Sequence, residues 1–187
     1  PLDAYRSVLY RIAERAGDPA LGVVPEILGV HLEGPFLGDR PGAHPRDLIR
    51  PVDLDWLEAL PMVVRLVTIA PEADPGHEAL AWAARRKVIA SIGHSGASAD
   101  DTRAAFGAGA RMVTHLFNAM SGLDHRAPGV AAAALLDSDV VAGLIADGVH
   151  VDPDLVRLAF AMKGPERIAL VTDAVGWRRG GPGTVEV

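Results

Sequence analysis

Acidic and imidazole side chains lie at the ends of several short hydrophobic segments, where a purely structural strand would carry apolar residues. They are Glu33, His94, His115, His150 and Asp173. Two imidazoles and one carboxylate can hold a catalytic zinc ion and leave one position open for water. Glu33, His94 and His115 therefore predict a metal site, although other divalent ions fit the same ligands. Asp173 is the expected general base, which takes a proton from water and returns it to a leaving group.

Each of these residues also has a structural interpretation. A single histidine at a strand end is often a hydrogen-bonded structural residue, Glu33 could cap a turn, and Asp173 could be a helix N-cap. The functional interpretation is favoured because four separate strand ends carry such residues, namely Glu33, His94, His115 and Asp173. His31 and His77 are assigned to structure, since His31 lies out of step with the other strand-end residues and His77 lies in a helical stretch.

Six short runs rich in valine, isoleucine and leucine predict buried parallel strands. They lack polar alternation, and each lies about one strand and one crossover helix after the previous run. The runs are Ile27–His31, Val63–Ile69, Val88–Ile92, Met112–His115, Val140–Ala146 and Ile168–Val171. The series predicts an α/β fold of about six βα units.

Helical patterns lie between the strands. Leu2–Ala16 spaces its apolar residues on one face. Ser98 is a typical N-cap for a helix over Ala99–Ala108. Asp152-Pro153, an N-cap followed by a proline, predicts that the next helix covers Leu155–Met162.

The polar strand ends favour a barrel over a doubly wound sheet. In a (β/α)8 barrel the carboxyl ends of all strands face one pole, so that residues far apart in sequence converge there. A doubly wound sheet would spread the same residues along an edge. The sequence therefore predicts residues 1–187 to be one partial (β/α)8 TIM-like barrel domain.

Composition excludes several classes of protein. The 187 residues are 49% hydrophobic, and 18 Lys+Arg against 24 Asp+Glu give a net charge of −6, so that no basic surface predicts nucleic acid or a membrane as partner. The absence of cysteine excludes disulfides and cysteine-ligated zinc, and is consistent with a reducing cytosol. No apolar stretch is long enough for a membrane span, and no signal peptide opens the chain. We expect a cytoplasmic protein.

Seven short motifs surround the strand ends. They are His31-Leu32-Glu33-Gly34-Pro35-Phe36, Gly42-Ala43-His44, Thr68-Ile69-Ala70-Pro71-Glu72, Gly93-His94-Ser95, Thr114-His115-Leu116-Phe117-Asn118-Ala119-Met120, Ala146-Asp147-Gly148-Val149-His150 and Val171-Thr172-Asp173-Ala174. In these motifs the sequence resembles the N-acetylglucosamine-6-phosphate deacetylase family of the amidohydrolase superfamily. The resemblance implies a metal-dependent hydrolase of amino-sugar catabolism, which releases acetate and glucosamine 6-phosphate with one divalent ion, expected to be zinc, or iron or another divalent ion.

The resemblance assigns roles by motif position. Glu33, His94 and His115 match the metal ligands, and Asp173 matches the catalytic acid/base. His44 resembles the residue that polarises the acetamide carbonyl, and His150 a residue that contacts the sugar hydroxyls. The phosphate-binding segment is matched by Asn118, Ala119 and Arg126.

The sequence also departs from the family. No His-x-His pair occurs, and in many members such a pair on the first barrel strand binds a second metal ion. By motif order the first two barrel strands and the family's β-sandwich are missing, so we expect an incomplete chain with a single metal site. The resemblance implies a homodimer. Two alternatives stay open: an amidohydrolase acting on a different amide, and a truncated remnant without activity.

Overall fold

Six parallel strands form one sheet in the computed structural model, which describes residues 2–16 and 27–174. Each strand pairs with the next one along the chain, in the order β1 to β6. The strands are β1 Val30–Glu33, β2 Val64–Ile69, β3 Ile89–Ile92, β4 Met112–Val113, β5 Val141–Leu144 and β6 Ile168–Leu170.

Helices connect the strands and begin where the sequence supplies N-caps. Asp53 accepts a hydrogen bond from the Trp56 amide, Ser98 from the Asp101 amide, and Asp152 from the Asp154 amide. Single 3-10 turns cover Arg46–Leu48, Pro71–Ala73 and Pro165–Arg167. The α-helices are α1 Leu2–Ala16, α2 Leu54–Glu58, α3 Glu78–Arg86, α4 Ala99–Gly107, α5 Val130–Leu136 and α6 Pro153–Lys163. None of the helices described is both long and apolar enough to cross a membrane.

The strand order confirms the predicted partial (β/α)8 barrel. A doubly wound sheet places its first strand in the middle and reverses direction at a switch point. Here all pairings are parallel and consecutive, as in a (β/α)8 barrel. Six of the eight strands of such a barrel are present in the described residues.

Several predicted element boundaries differ from the structure, and one histidine was misplaced. The first strand begins at Val30 rather than Ile27, because its pairing with β2 starts at Val30, and Leu28 is 79% exposed. Strand β4 ends at Val113 rather than His115, since His115 adopts a φ of 31° and leaves the sheet ladder. His77 is the N-cap of α3 rather than part of the helix.

The hydrophobic core anchors the loop that follows β1. Phe36 is completely buried, and its ring meets that of Trp56 edge-on at a centroid distance of 5.7 Å. The ring of Tyr5 in α1 meets the same indole edge-on at a centroid distance of 6.4 Å. Phe36 lies three residues after Glu33, so its burial fixes the path of the chain as it leaves the predicted metal ligand.

We expect Phe36→Ala to lower the free energy of unfolding by about 3–5 kcal/mol, because it leaves a cavity beside Trp56. Urea unfolding followed by circular dichroism measures the loss. Met62→Ala is the control, since this side chain is 66% exposed, and its effect should stay within about 0.5 kcal/mol. Similar losses for the two variants would contradict the anchoring role.

Candidate active site

The three predicted metal ligands meet at the carboxyl ends of β1, β3 and β4. Glu33 Oε1 lies 2.7 Å from His94 Nε2 and 2.9 Å from His115 Nε2. The two Nε2 atoms are 3.1 Å apart. The curvature of the sheet thus joins residues separated by up to 82 positions in the sequence. We call these three residues the Glu33 cluster.

Local backbone geometry turns both imidazoles toward this point. His94 has a φ of 51° and His115 a φ of 31°, so each leaves its strand in the left-handed region. A non-glycine residue in that region is uncommon and is held there by its surroundings. Strain of this kind concentrates at functional sites.

The Glu33 cluster is shielded from solvent, which strengthens the electrostatic interactions between its side chains. His94 and His115 are each 4% exposed, and Glu33 is half-buried. Burial acts to raise the pKa of Glu33, but the hydrogen bonds and charges of His115 and His94 outweigh it and hold that pKa well below its usual range. Burial acts to lower the pKa of His115, but the Glu33 carboxylate overrides it and raises that pKa. The cluster therefore favours an ionised Glu33 carboxylate.

The donor set fits a divalent cation. Tetrahedral zinc with bonds of about 2.0–2.1 Å places its ligand atoms about 3.3 Å apart, slightly more than the 2.7–3.1 Å seen here. His94 Nδ1 lies 3.1 Å from the Arg40 carbonyl, which can accept its N–H and leave Nε2 free to coordinate. His115 Nδ1 is buried without a hydrogen-bond partner in the described residues.

His44 joins the same group of ligating atoms. One of its ring nitrogens lies within 4.8 Å of ligand atoms of Glu33 and His94, and its ring centroid is 4.6 Å from that of His94. Gly42 permits this approach: its φ is 58°, and a Cβ there would come within 3.3 Å of His94 Cε1. The structure therefore brings His44 to the cluster, while its predicted role at the acetamide carbonyl stays a prediction.

A cavity of about 440 Å³ opens beside the cluster and is lined in part by the residue predicted to be the general base. Asp173 follows β6 with a φ of 51° and is exposed. Its charge acts to raise the pKa of His115, although less than Glu33 does. The polar side chains of the cavity wall are His31, Glu33, Thr114, His115, Thr172 and Asp173.

His31 also lines this cavity, and its predicted orientation was wrong. Residues two apart on a strand share one face, so His31 and Glu33 both point into the barrel. The structural role expected for His31 is supported by a hydrogen bond, since its Nε2 lies 2.7 Å from Thr68 Oγ1. The two-residue period of β1 was the signal that could have found it.

The structure brings together only part of the segment that is predicted to bind phosphate. Asn118 and Ala119 follow β4, and Ala119 lies close to Gly42, since a Cβ on that glycine would come within 3.5 Å of Ala119 Cβ. Asn118 donates from Nδ2 to the His115 carbonyl at 3.4 Å. The Arg126 guanidinium is exposed and makes no hydrogen bond or ion pair within residues 2–16 and 27–174.

His150 lies at the carboxyl end of the barrel but outside the cavity wall. Its Nδ1 pairs with the Asp147 carboxylate at 2.7 Å, and its side chain is 52% exposed. Asp147 also accepts hydrogen bonds from the His150 and Val149 amides, and these bonds lower the pKa of Asp147 to about 2. The loop after β5 is thus ordered around Asp147, and the sugar-binding role of His150 stays a prediction.

Glu72 links three loops at the pole, and no role was predicted for it. Its Oε2 accepts from Ser95 Oγ at 2.6 Å, and its Oε1 accepts from the Gly96 amide at 2.8 Å and weakly from the Asp39 amide at 3.4 Å. These bonds tie the loop of His94 to the loop that leads to His44. Glu72 lies just after β2, and a polar residue at the end of an apolar strand is the pattern that identified Glu33 and His94.

We expect Glu72→Gln to lower the free energy of unfolding by about 1–2 kcal/mol, because an amide NH2 cannot accept one of these hydrogen bonds. Faster amide hydrogen exchange at Gly96 would place the effect in the loop. Glu58→Gln is the matched control, since Glu58 forms only exposed contacts with Arg85 and Arg86, worth less than about 1 kcal/mol. An unchanged exchange rate at Gly96 would contradict the linking role.

Comparisons with known proteins agree with the geometry. The chain is 42% identical over 155 residues to N-acetylglucosamine-6-phosphate deacetylase of Bacillus subtilis (strain 168), covering 80% of this chain and 39% of that protein. It is 39% identical over 180 residues to N-acetylgalactosamine-6-phosphate deacetylase of Escherichia coli O157:H7, covering 94% and 47%. The chain thus spans less than half the length of these curated relatives. No protein-family model matches it.

The fold agrees with a solved relative as well. A variant of N-acetyl-D-glucosamine-6-phosphate deacetylase from Mycobacterium smegmatis, in complex with N-acetyl-D-glucosamine-6-phosphate, superposes with a TM-score of 0.78 at 42% identity. The alignment covers 90% of this chain and 45% of that one. Sequence and fold therefore point to the same set of relatives.

Proposed function

Because the chain belongs to the N-acetylglucosamine-6-phosphate deacetylase family, we propose that it carries the chemistry of a metal-dependent hydrolase acting on N-acetylglucosamine 6-phosphate. The products are acetate and glucosamine 6-phosphate. The observation that carries the proposal is the convergence of Glu33 Oε1 with the Nε2 atoms of His94 and His115, all within 3.1 Å of one another. A sugar phosphate as substrate and a cysteine-free sequence support a cytoplasmic location.

Glu33, His94 and His115 would hold one divalent ion, with zinc as the expected identity. When bound, such an ion acts as a Lewis acid and lowers the pKa of water. The low pKa of Glu33 supports this assignment, because the carboxylate stays ionised and available as a ligand. The contact of His94 Nδ1 with the Arg40 carbonyl fixes the orientation of its ring.

Asp173 and His44 carry the remaining chemical roles in the proposal. Amide hydrolysis needs a base for the attacking water and an acid for the departing amine, and one carboxylate can perform both steps in turn. Asp173 suits this role because it lines the cavity beside His115 and is exposed to solvent. His44, 4.6 Å from the His94 ring, would donate a hydrogen bond to the carbonyl oxygen as negative charge develops there.

Substrate recognition falls to the loops after β4 and β5. A phosphate monoester needs directional donors, which the Asn118 amide, the Ala119 backbone N–H and the Arg126 guanidinium would supply. The free guanidinium of Arg126 supports this role, since it makes no hydrogen bond or ion pair within the described ranges. His150 would contact a sugar hydroxyl. A homodimer stays a prediction.

The similarity to an N-acetylgalactosamine-6-phosphate deacetylase favours a second candidate substrate. The two sugars differ in the orientation of one hydroxyl. A contact from a loop could distinguish the two orientations without any change in the Glu33 cluster. An amidohydrolase acting on another amide, and a remnant without activity, stay as alternatives that the experiments below separate.

We expect the chain to bind one zinc ion, and Glu33→Gln to weaken that binding by about 100-fold or more, because even partners outside the first coordination shell alter metal affinity about 10–100-fold. Equilibrium dialysis with metal analysis measures both. Glu78→Gln is the matched control, since Glu78 lies exposed in the first turn of α3. Equal zinc affinity for the two variants would contradict the assignment of Glu33.

The zinc-loaded chain should release acetate from N-acetylglucosamine 6-phosphate, and Asp173→Asn should reduce the rate by about 10²–10⁴-fold, because the amide cannot accept the proton from water. Asp100→Asn is the control, since Asp100 forms an exposed pair with Arg103. Acetate is measured with the phosphorylated and unphosphorylated sugars and with N-acetylgalactosamine 6-phosphate.

Each outcome of this assay selects one interpretation. Equal rates on phosphorylated and unphosphorylated N-acetylglucosamine would contradict the phosphate site and favour another amide substrate. Faster release from N-acetylgalactosamine 6-phosphate would favour the second candidate substrate. No acetate from a zinc-loaded chain would favour the inactive remnant.

A further inference from the structure

Four polar side chains form a continuous row of hydrogen bonds across the interior of the sheet. His31 Nε2 lies 2.7 Å from Thr68 Oγ1, and Thr68 Oγ1 lies 2.7 Å from Thr114 Oγ1. Thr114 Oγ1 in turn lies 2.7 Å from Ser91 Oγ. Thr68 and Ser91 are completely buried, and Thr114 is 6% exposed. We call Thr68, Thr114 and Ser91 the hydroxyl relay.

The number of available protons indicates which atom donates in each hydrogen bond of the relay. Three hydrogen bonds need three protons, and the three hydroxyls supply that number when Ser91 donates to Thr114, Thr114 donates to Thr68, and Thr68 donates to His31. If His31 Nε2 donated instead, four protons would share three hydrogen bonds, and one hydroxyl proton would lie outside the row, either on the completely buried Ser91 or turned by Thr114 toward the cavity. A buried donor without a partner is unfavourable. The relay therefore favours Nε2 of His31 as the acceptor.

A neutral imidazole that accepts at Nε2 carries its proton on Nδ1. His31 Nδ1 makes no hydrogen bond within the described part of the chain, and the exposed side chain lines the cavity together with Glu33, His115 and Asp173. The relay thus fixes one ring nitrogen on the barrel wall. It leaves the other available to a molecule in the cavity.

We propose that His31 is a ligand-binding residue: the hydroxyl relay holds it as the Nδ1–H tautomer, and this N–H donates to an oxygen atom of the ligand bound in the cavity. For the identity of the ligand the inference rests on the proposed function, under which the acceptor is a hydroxyl or acetyl oxygen of an N-acetylated amino-sugar phosphate. The tautomer itself depends on the hydrogen bond from Thr68, whatever the identity of the ligand.

Two-bond ¹H–¹⁵N correlation spectra of the ¹⁵N-labelled, metal-free chain report the tautomer, with His31 identified by the signal that His31→Asn removes. We expect a pyrrole-type Nδ1 and a pyridine-type Nε2. In Thr68→Val the partner of Nε2 is lost, so the Nε2–H tautomer should become populated. A pyrrole-type Nε2 in the unaltered chain, or identical His31 signals in Thr68→Val, would overturn the proposal.

Two further variants separate the relay from general damage to the fold. Thr68→Ser keeps the hydroxyl and should keep the original His31 signals. Ser91→Ala also removes one buried hydroxyl, but Thr114 can still donate to Thr68 and Thr68 to His31, so the tautomer should not change. A change in Ser91→Ala as large as that in Thr68→Val would mean that loss of any buried hydroxyl alters His31, and the directional relay would be refuted.

Binding of N-acetylglucosamine 6-phosphate to the same samples tests the acceptor. We expect Thr68→Val to bind it about fivefold more weakly than Ser91→Ala, the ratio that corresponds to one neutral hydrogen bond. Equal affinities would overturn the role of the N–H in binding. No binding by the unaltered chain would contradict the proposed function and this acceptor, whereas the tautomer would still be read from the free chain.

Discussion

Parallel pairing of six strands in chain order is the constraint on which the rest of the structure depends. In a flat sheet, β1 and β4 would lie about 14 Å apart, three strand spacings of about 4.8 Å. Glu33 Oε1 and His115 Nε2 nevertheless lie 2.9 Å apart. The sheet must therefore curl, as the right-handed twist of strands allows. The Glu33 cluster is a consequence of this curvature, because each of its side chains stands at the carboxyl end of a strand.

The curved sheet has a polar interior near this pole, and such an interior is stable only where most of its polar groups are hydrogen-bonded. Barrel interiors are usually filled with branched apolar side chains, whereas here Thr68, Ser91 and Thr114 are buried there. Burying a polar group without a hydrogen bond is costly. All three hydroxyls are paired at 2.7 Å, and the Glu33 carboxylate lies within 2.9 Å of both imidazoles. This pairing holds the cavity wall rigid beneath the site.

The sequence was most informative where a polar side chain interrupts the apolar pattern of a strand. Glu33, His94 and His115 stand out because a polar residue at the end of an apolar strand has few structural reasons to be there. The orientation of His31 was misjudged because its position was compared with other strands rather than with Glu33, two residues away on its own strand. The role of Glu72 depends on loops from three strands, and no local pattern records such contacts.

The two parts of the site are held by different forces. The Glu33 cluster is positioned by strand pairing and burial, and Glu72 supports the loop that carries His94. The residues proposed for recognition rely on local loop contacts, such as Asp147 with His150 and Asp124 with the Arg126 amide. Loop substitutions can therefore change the ligand while the chemistry is retained. The similarity of the chain to deacetylases named for two different amino-sugar phosphates is consistent with this separation.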